Sequence, residues 1–265
     1  MATAAGQLTN ELLLVETDGA VRTLTLNNPD KFNPLSGAAL ARLQEELDRV
    51  AGDDGIRVVI IASTGKAFSA GHDLKEMRSM DRAGHEALFA ACSQMMLRIN
   101  SLPQPVIAAV QGIATAAGCQ LVAACDLAVA ASTARFAASG INVGLFCATP
   151  AVPLSRNLPR KRAMEMLLTG EFIDAATALD WGLVNRVAEP DAVLTTAREL
   201  AGIIAAKPPV ALKLGKQLFY RQLEADLEQA YEQAGEVMAC NMDTEDARNG
   251  IDAFFDKRTP EWQGR

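Results

Sequence analysis

Val106-Ile107-Ala108-Ala109-Val110-Gln111-Gly112-Ile113-Ala114-Thr115-Ala116-Ala117-Gly118-Cys119-Gln120-Leu121-Val122 sets the architecture of this chain. Its first five residues are apolar without alternation, as in a strand buried on both faces. The run ends at Gly112, and small residues lead from the strand into a helix. Phe68-Ser69-Ala70-Gly71-His72-Asp73-Leu74-Lys75-Glu76-Met77 repeats that order after the largely β-branched run Val58-Val59-Ile60-Ile61-Ala62-Ser63. A helix start presents unpaired N–H groups and a positive dipole end. Small side chains let a ligand come close to that backbone. If the two turns meet in space, they form a pair of backbone donors for a carbonyl oxygen that gains negative charge. Gly71 and Gly118 also fit tight helix–strand packing, and a Gly-rich turn alone does not separate these readings.

Upstream, Val21-Arg22-Thr23-Leu24-Thr25-Leu26-Asn27 alternates as a half-buried strand. Ser36 is placed to cap a helix carrying Leu40, Leu43, Leu47 and Val50 at helical spacing. A further helix spans Glu86 to Ile99 and stops before Pro103 and Pro105. Downstream, Asp126 to Ala131 returns as a short strand, and Gly140 to Pro153 reads as a loop. Asp174 caps a helix ending at Gly182, and Pro190 opens another first turn. Pro208 and Pro209 precede a long amphipathic pattern through Leu214, Leu218, Leu223, Leu227 and Tyr231, and a tail runs from Ile251 to Trp262. Strands alternating with helices over the first part predict an α/β core, with a helical remainder.

The composition excludes several classes. A formal net charge of -7 does not suit a general nucleic-acid binder. No apolar stretch reaches the roughly 18 residues of a membrane span. Five cysteines (Cys92, Cys119, Cys125, Cys147 and Cys240) with only two histidines and no Cys-x-x-Cys pair do not suggest a metal site. They read as reduced, mostly buried thiols. The first twenty residues hold no Lys or Arg and no long apolar run, so no leader is expected and the chain is placed in the cytoplasm.

The chain resembles the crotonase, or enoyl-CoA hydratase/isomerase, superfamily. The likeness rests on ordered segments from about Leu14 to Trp262: Thr25-Leu26-Asn27-Asn28-Pro29 with Asn33; Lys66 to Met77; Pro105 to Gly112; Ala117-Gly118-Cys119-Gln120-Leu121 with Cys125-Asp126; Gly182-Leu183-Val184-Asn185; and Ala253-Phe254 with Lys257-Arg258. Within it, Ala116 to Gln120 and Asn142 to Cys147 look like the enoyl-CoA hydratase domain-containing subgroup. The resemblance implies a crotonase-type ββα spiral core over 1–195 and a C-terminal helical trimerisation region over 196–265. It implies a homotrimer or a hexamer built as a dimer of trimers. The ligand implied is an acyl-CoA thioester, with coenzyme A as part of the substrate and no tightly bound cofactor. The oxyanion-hole donors fall on the amides of His72 and Ala117. Ser69, Ala70, Asp73 and Leu74 would wrap the coenzyme A arm, with Lys31, Lys75, Phe254 and Lys257 as neighbours.

The chain departs from the family where hydratases carry two carboxylates. Those positions fall on Gln120 and Gly140. Neither residue takes up and releases a proton near neutral pH. The resemblance therefore implies an enzyme of acyl-CoA metabolism, nominally an enoyl-CoA hydratase, that is poorly equipped for hydration. An acyl-CoA decarboxylase-type lyase, needing only enolate stabilisation, and a non-catalytic acyl-CoA-binding protein are the alternatives. His72 has the right intrinsic pKa to act as a base, but also reads as a helix-start residue turned outward. Asn142 is a candidate to orient a water, Asp126 to brace the core, and Cys119 and Cys147 to pack.

Overall fold

The computed structural model describes residues 12–265. The reading of a missing leader rests partly on residues 1–11, which lie outside that range. Strands β1 (Leu13–Asp18) and β2 (Val21–Leu26) form an antiparallel pair, and Leu24 and Leu26 are the buried apolar positions of the alternating segment. Helix α1 (Gly37–Ala51) is capped by Ser36, whose hydroxyl accepts from the Ala39 amide. It buries Leu40, Leu43, Leu47 and Val50, the stripe expected from their spacing.

Three units of the same form follow. β3 (Val58–Ser63) and β4 (Ala67–Ser69) lead into α2 (Leu74–Ser79) and α3 (Arg82–Ser101). β5 (Val106–Val110) and β6 (Ile113–Thr115) lead into α4 (Ala117–Ala124). β7 (Leu127–Ala131) and β8 (Arg135–Ala137) lead into α5 (Ala148–Asn157) and α6 (Arg160–Thr169). The chain then runs through β9 (Ile173–Asp174), α7 (Ala175–Trp181), β10 (Arg186–Ala188) and α8 (Val193–Ala205). It finishes with α9 (Pro209–Gln222), α10 (Leu227–Met242) and α11 (Glu245–Asp256).

The first strand of each unit joins one sheet of order β1-β2-β3-β5-β7-β10, parallel from β2 onward. The second joins a smaller sheet of order β4-β6-β8-β9. The chain thus winds as a spiral of ββα turns, the α/β architecture expected. β3 and β5 are buried along their apolar runs. α8 covers the large sheet with Val193, Ala197, Leu200 and Ala201. The expected division at 195/196 falls inside α8.

Four local readings need correction. α3 begins at Arg82 rather than Glu86, because Asp81 caps it by accepting from the Gly84 amide at 2.8 Å. The segment 140–153 is not one loop: Ser139–Val143 is a 3-10 turn and α5 begins at Ala148. Pro150 lies in the first turn of α5, where a missing N–H is tolerated, and Pro150 and Leu154 are buried in a helix packed on α4. The long C-terminal pattern breaks into α9 and α10, with Asp226 capping the second. The tail from Ile251 begins inside α11, which Thr244 caps.

The helical region is held to the spiral by a buried ion pair. Lys216 Nζ on α9 donates to Asp126 Oδ2 at 2.6 Å and to the carbonyls of Ile99 and Gln104 at 2.8 and 2.9 Å. Asp126 also accepts from the Val106 amide at 2.7 Å and the Tyr220 hydroxyl at 2.7 Å. It braces the core as read. Burial pushes the Lys216 ammonium below its ordinary value, while Asp126 opposes that shift. Lys216→Met leaves the carboxylate without its cation and is expected to lower the unfolding free energy by about 3–5 kcal/mol. Urea denaturation measures it, and an unchanged midpoint would mean that another contact secures α9.

Candidate active site

The turn after β4 and the turn after β6 meet backbone to backbone. Gly71 has φ +88, and a Cβ there would lie 3.0 Å from the Ala117 nitrogen and 3.0 Å from the Ala116 Cβ. A Cβ at Gly118 would fall 2.2 Å from the Ser69 carbonyl oxygen. The packing reading and the convergence reading of these glycines therefore both hold. Ala116 adopts φ 50 and ψ -121, outside the usual range for a residue with a Cβ, and its amide donates to the Ala137 carbonyl at 3.0 Å. Such backbone costs of order 1–3 kcal/mol and persists only where its surroundings enforce it. It turns the chain so that α4 starts at Ala117. Neither the Ala117 amide nor the His72 amide has a protein acceptor among the described residues.

Both residues border a cavity of about 400 Å³, with Phe89 on α3, Gly140 and Cys147 completing its wall. Among the described residues lining it there is no Asp, Glu, Lys or Arg, and His72 and Cys147 are its titratable groups. A larger, more open groove of about 750 Å³ between α1, α3 and α9 borders neither turn.

His72 is turned inward rather than outward. Its ring meets Phe89 edge to face at 5.6 Å. Its Nδ1 lies 2.9 Å from the Leu35 carbonyl, which can only accept, so Nδ1 carries the hydrogen and Nε2 the lone pair. Nε2 is buried and has no partner. Burial pushes this imidazole below its ordinary pKa, against the opposing effects of the Leu35 bond and the Glu76 charge. The ring is therefore neutral at neutral pH.

The remaining candidates divide. Ala70, Leu74, Ala117 and Gly140 border the cavity together with His72. Gln120 is buried within α4, and its Oε1 has no partner. Ser69 is fully buried, and its Oγ accepts from the Gly71 amide at 3.2 Å, so its hydroxyl is committed to the turn. Asp73 caps α2 by accepting from the Lys75 and Glu76 amides. Lys31, Lys75, Phe254 and Lys257 are exposed and do not line the cavity. Asn142 donates to the Gly170 carbonyl at 3.3 Å, a brace within the 3-10 turn region. Cys119 is buried in the core, with its thiol pushed up to about 12 by burial. Cys147 is more than a packing residue, because it forms part of the cavity wall. Sequence reasoning also missed Phe89, which α3 brings to the site from a distant point in the chain and which no local pattern marks.

Comparison with known proteins places these features in context. The Enoyl-CoA hydratase/isomerase family matches residues 16–265. The rat protein named enoyl-CoA hydratase domain-containing protein 3, mitochondrial, is 45% identical over 248 residues, covering 93% of this chain and 82% of its own length. The crystal structure of an enoyl-CoA hydratase from Mycobacterium smegmatis superposes with a TM-score of 0.93 at 57% identity, covering 95% of this chain and 99% of that one. The human enoyl-CoA hydratase domain-containing protein 3 superposes with a TM-score of 0.93 at 43% identity, over 95% of this chain and 100% of that one. The cytoplasmic expectation is overturned by relatives of this kind, five of which carry a mitochondrial designation.

The state of His72 gives a signed pH dependence. Because its folded pKa is depressed, the unfolded chain binds the proton first as pH falls through the ordinary value of 6.5. Stability contributed by the neutral ring is present above that value and is lost as pH falls towards the folded pKa. His72→Gln is expected to flatten the decline in stability between neutral pH and about pH 5. Urea midpoints across that range test this, and parallel declines for the two chains would exclude a buried neutral imidazole.

Proposed function

The chain belongs to the enoyl-CoA hydratase/isomerase family, and from that premise we propose that its cavity binds an acyl-coenzyme A thioester. The thioester carbonyl oxygen accepts from the His72 and Ala117 amides, which form an oxyanion hole. The observation that carries this reading is the pair of unpartnered amides bordering one cavity where Gly71 brings the two turns into contact. Donors fixed in advance stabilise an enolate more than the neutral carbonyl, and one such donor is worth about 10²–10³ in rate. Ala70 and Leu74 form the edge along which the coenzyme A arm leaves, with Lys31, Lys75 and Lys257 as candidate phosphate partners. Exposed apolar residues of α9 and α10, among them Phe219 and Tyr231, support assembly as a homotrimer or a dimer of trimers.

Hydration of a 2-enoyl thioester also needs a base to activate water and an acid to protonate the α-carbon. Gln120 and Gly140 stand where the family resemblance places those carboxylates, and the wall supplies no other. The reading is therefore a hydratase-type enzyme in which the enolate is held but water is weakly activated. The same carboxylate-free wall favours a second reading, decarboxylation of a malonyl-type thioester. Loss of carbon dioxide leaves the bonding pair on the α-carbon and generates the enolate with no protein base.

Butyryl-CoA is expected to bind saturably in calorimetry. Crotonyl-CoA, followed by its ultraviolet absorbance, is expected to hydrate about 10²–10⁴-fold more slowly than with a family hydratase that has both carboxylates. Malonyl-type thioesters test the second reading by release of carbon dioxide. Ala117→Pro removes one donor at the first position of α4, where that N–H makes no bond within the helix. It is expected to lower any turnover by about 10²-fold or more. Absence of butyryl-CoA binding would refute the proposal, and rapid hydration would refute its account of the missing carboxylates.

A further inference from the structure

Gly140 and Cys147 meet at the cavity wall. The Gly140 amide donates to Cys147 Sγ at 3.3 Å. A Cβ at residue 140 would lie 2.8 Å from that sulfur and 2.6 Å from the Leu145 carbonyl oxygen. The thiol therefore stands in the space into which a side chain at 140 would project. No other cysteine among the described residues lines the cavity: Cys92 and Cys125 are buried outside its wall, Cys119 is buried behind it near Cys147, and Cys240 is exposed.

Resting on the reading of the cavity as an acyl thioester site, we infer that Cys147 is its nucleophile, adding reversibly to the β-carbon of an α,β-unsaturated acyl thioester whose carbonyl oxygen the His72 and Ala117 amides hold. In that addition the S–H bond breaks and an S–Cβ bond forms. The π pair of the double bond moves into the enolate, whose oxygen faces the two amides. The α-carbon then takes the proton that the sulfur gave up. The product is a saturated acyl thioester with Cys147 as its 3-thioether, and nothing is oxidised or reduced. Elimination by the same path releases the unsaturated ligand.

The driving contribution comes from the acceptor rather than from a preformed thiolate. Burial raises the Cys147 thiol above its ordinary pKa, with the Gly140 amide opposing that shift. A neutral thiol adds slowly to an unactivated alkene. A carbonyl held by two amides draws electron density from the β-carbon and lowers that barrier. His72 is the other titratable residue of the wall.

The test uses 2-butynoyl-CoA, because addition of a thiol to an alkynoyl thioester gives a vinyl thioether that resists elimination. Intact mass and peptide mapping are expected to show one ligand on the Cys147 peptide. Excess butyryl-CoA is expected to suppress that adduct, and Cys240→Ser to retain it. Cys147→Ser and Cys147→Ala are expected to lose it while keeping the parent's circular dichroism spectrum. Butyryl-CoA binding without an adduct at Cys147, or with labelling confined to Cys240, overturns the inference and leaves the acyl-CoA reading standing. No butyryl-CoA binding by the parent chain removes both.

Discussion

Two stretches of main chain can touch only where no side chain separates them, and the contact between Gly71 and the Ala116–Ala117 peptide meets that condition. Everything proposed for the cavity depends on it. A Cβ at residue 71 would press on a backbone nitrogen and on the Ala116 methyl group, neither of which can rotate away. The small sheet fixes the approach. Ser69 pairs with Ala114 and Thr115 with Ala137, so β4, β6 and β8 deliver successive turns to the same end of the sheet. The unusual backbone of Ala116 is tolerated because its amide is bonded to Ala137 on one side and its residue packs on Gly71 on the other. The strain is thus opposed by sheet pairing and buried surface, which are individually small but act on a rigid frame.

The second constraint is electrostatic. A cavity without formal charge on its wall offers little screening to charge that develops inside it, so fixed dipoles count for more there than in water. The two amides are such dipoles and need no reorganisation as the carbonyl gains charge. The same surroundings disfavour charged side chains. Desolvation outweighs both the Leu35 bond and the Glu76 charge at His72, and outweighs the Gly140 amide at Cys147. The wall therefore keeps its own titratable groups neutral.

Much of the frame was legible in the sequence because it depends on local rules. Apolar runs without alternation mark β3 and β5, and Ser36 and Asp174 cap the helices read from them. The meeting of the two turns was legible for a related reason: small residues between strand and helix let main chain approach main chain, whatever the neighbouring side chains. What escaped is non-local. Asp81 was passed over as a cap because the apolar period of α3 is weak at its start. α5 was hidden by Pro150 and Pro153, since propensity does not register burial against α4. Ser69 looks free in sequence, yet the fold buries it under the turn that it stabilises. Cys147 looks like packing because nothing in the sequence shows that the chain between it and Gly140 turns back. The 3-10 turn folds that interval back on itself. The cytoplasmic reading failed for another reason: composition near a terminus describes an address, not a fold, and it carried no weight against named relatives.

Helix α4 joins these threads. At its start, the Ala116 turn brings Ala117 to the cavity; just past its end, Asp126 receives Lys216 and Tyr220 from α9 and the Val106 amide from β5. All eight of its residues are buried, and small ones predominate, so it packs closely against the surrounding elements. A short helix fixed at both ends has little freedom to tilt. Any shift of α9 would pull on Asp126 and, through eight residues of regular backbone, on Ala117 at the other end. The ion pair that secures the helical region is therefore also part of what holds the Ala117 amide in place, although it lies at the opposite end of the helix and touches nothing in the cavity.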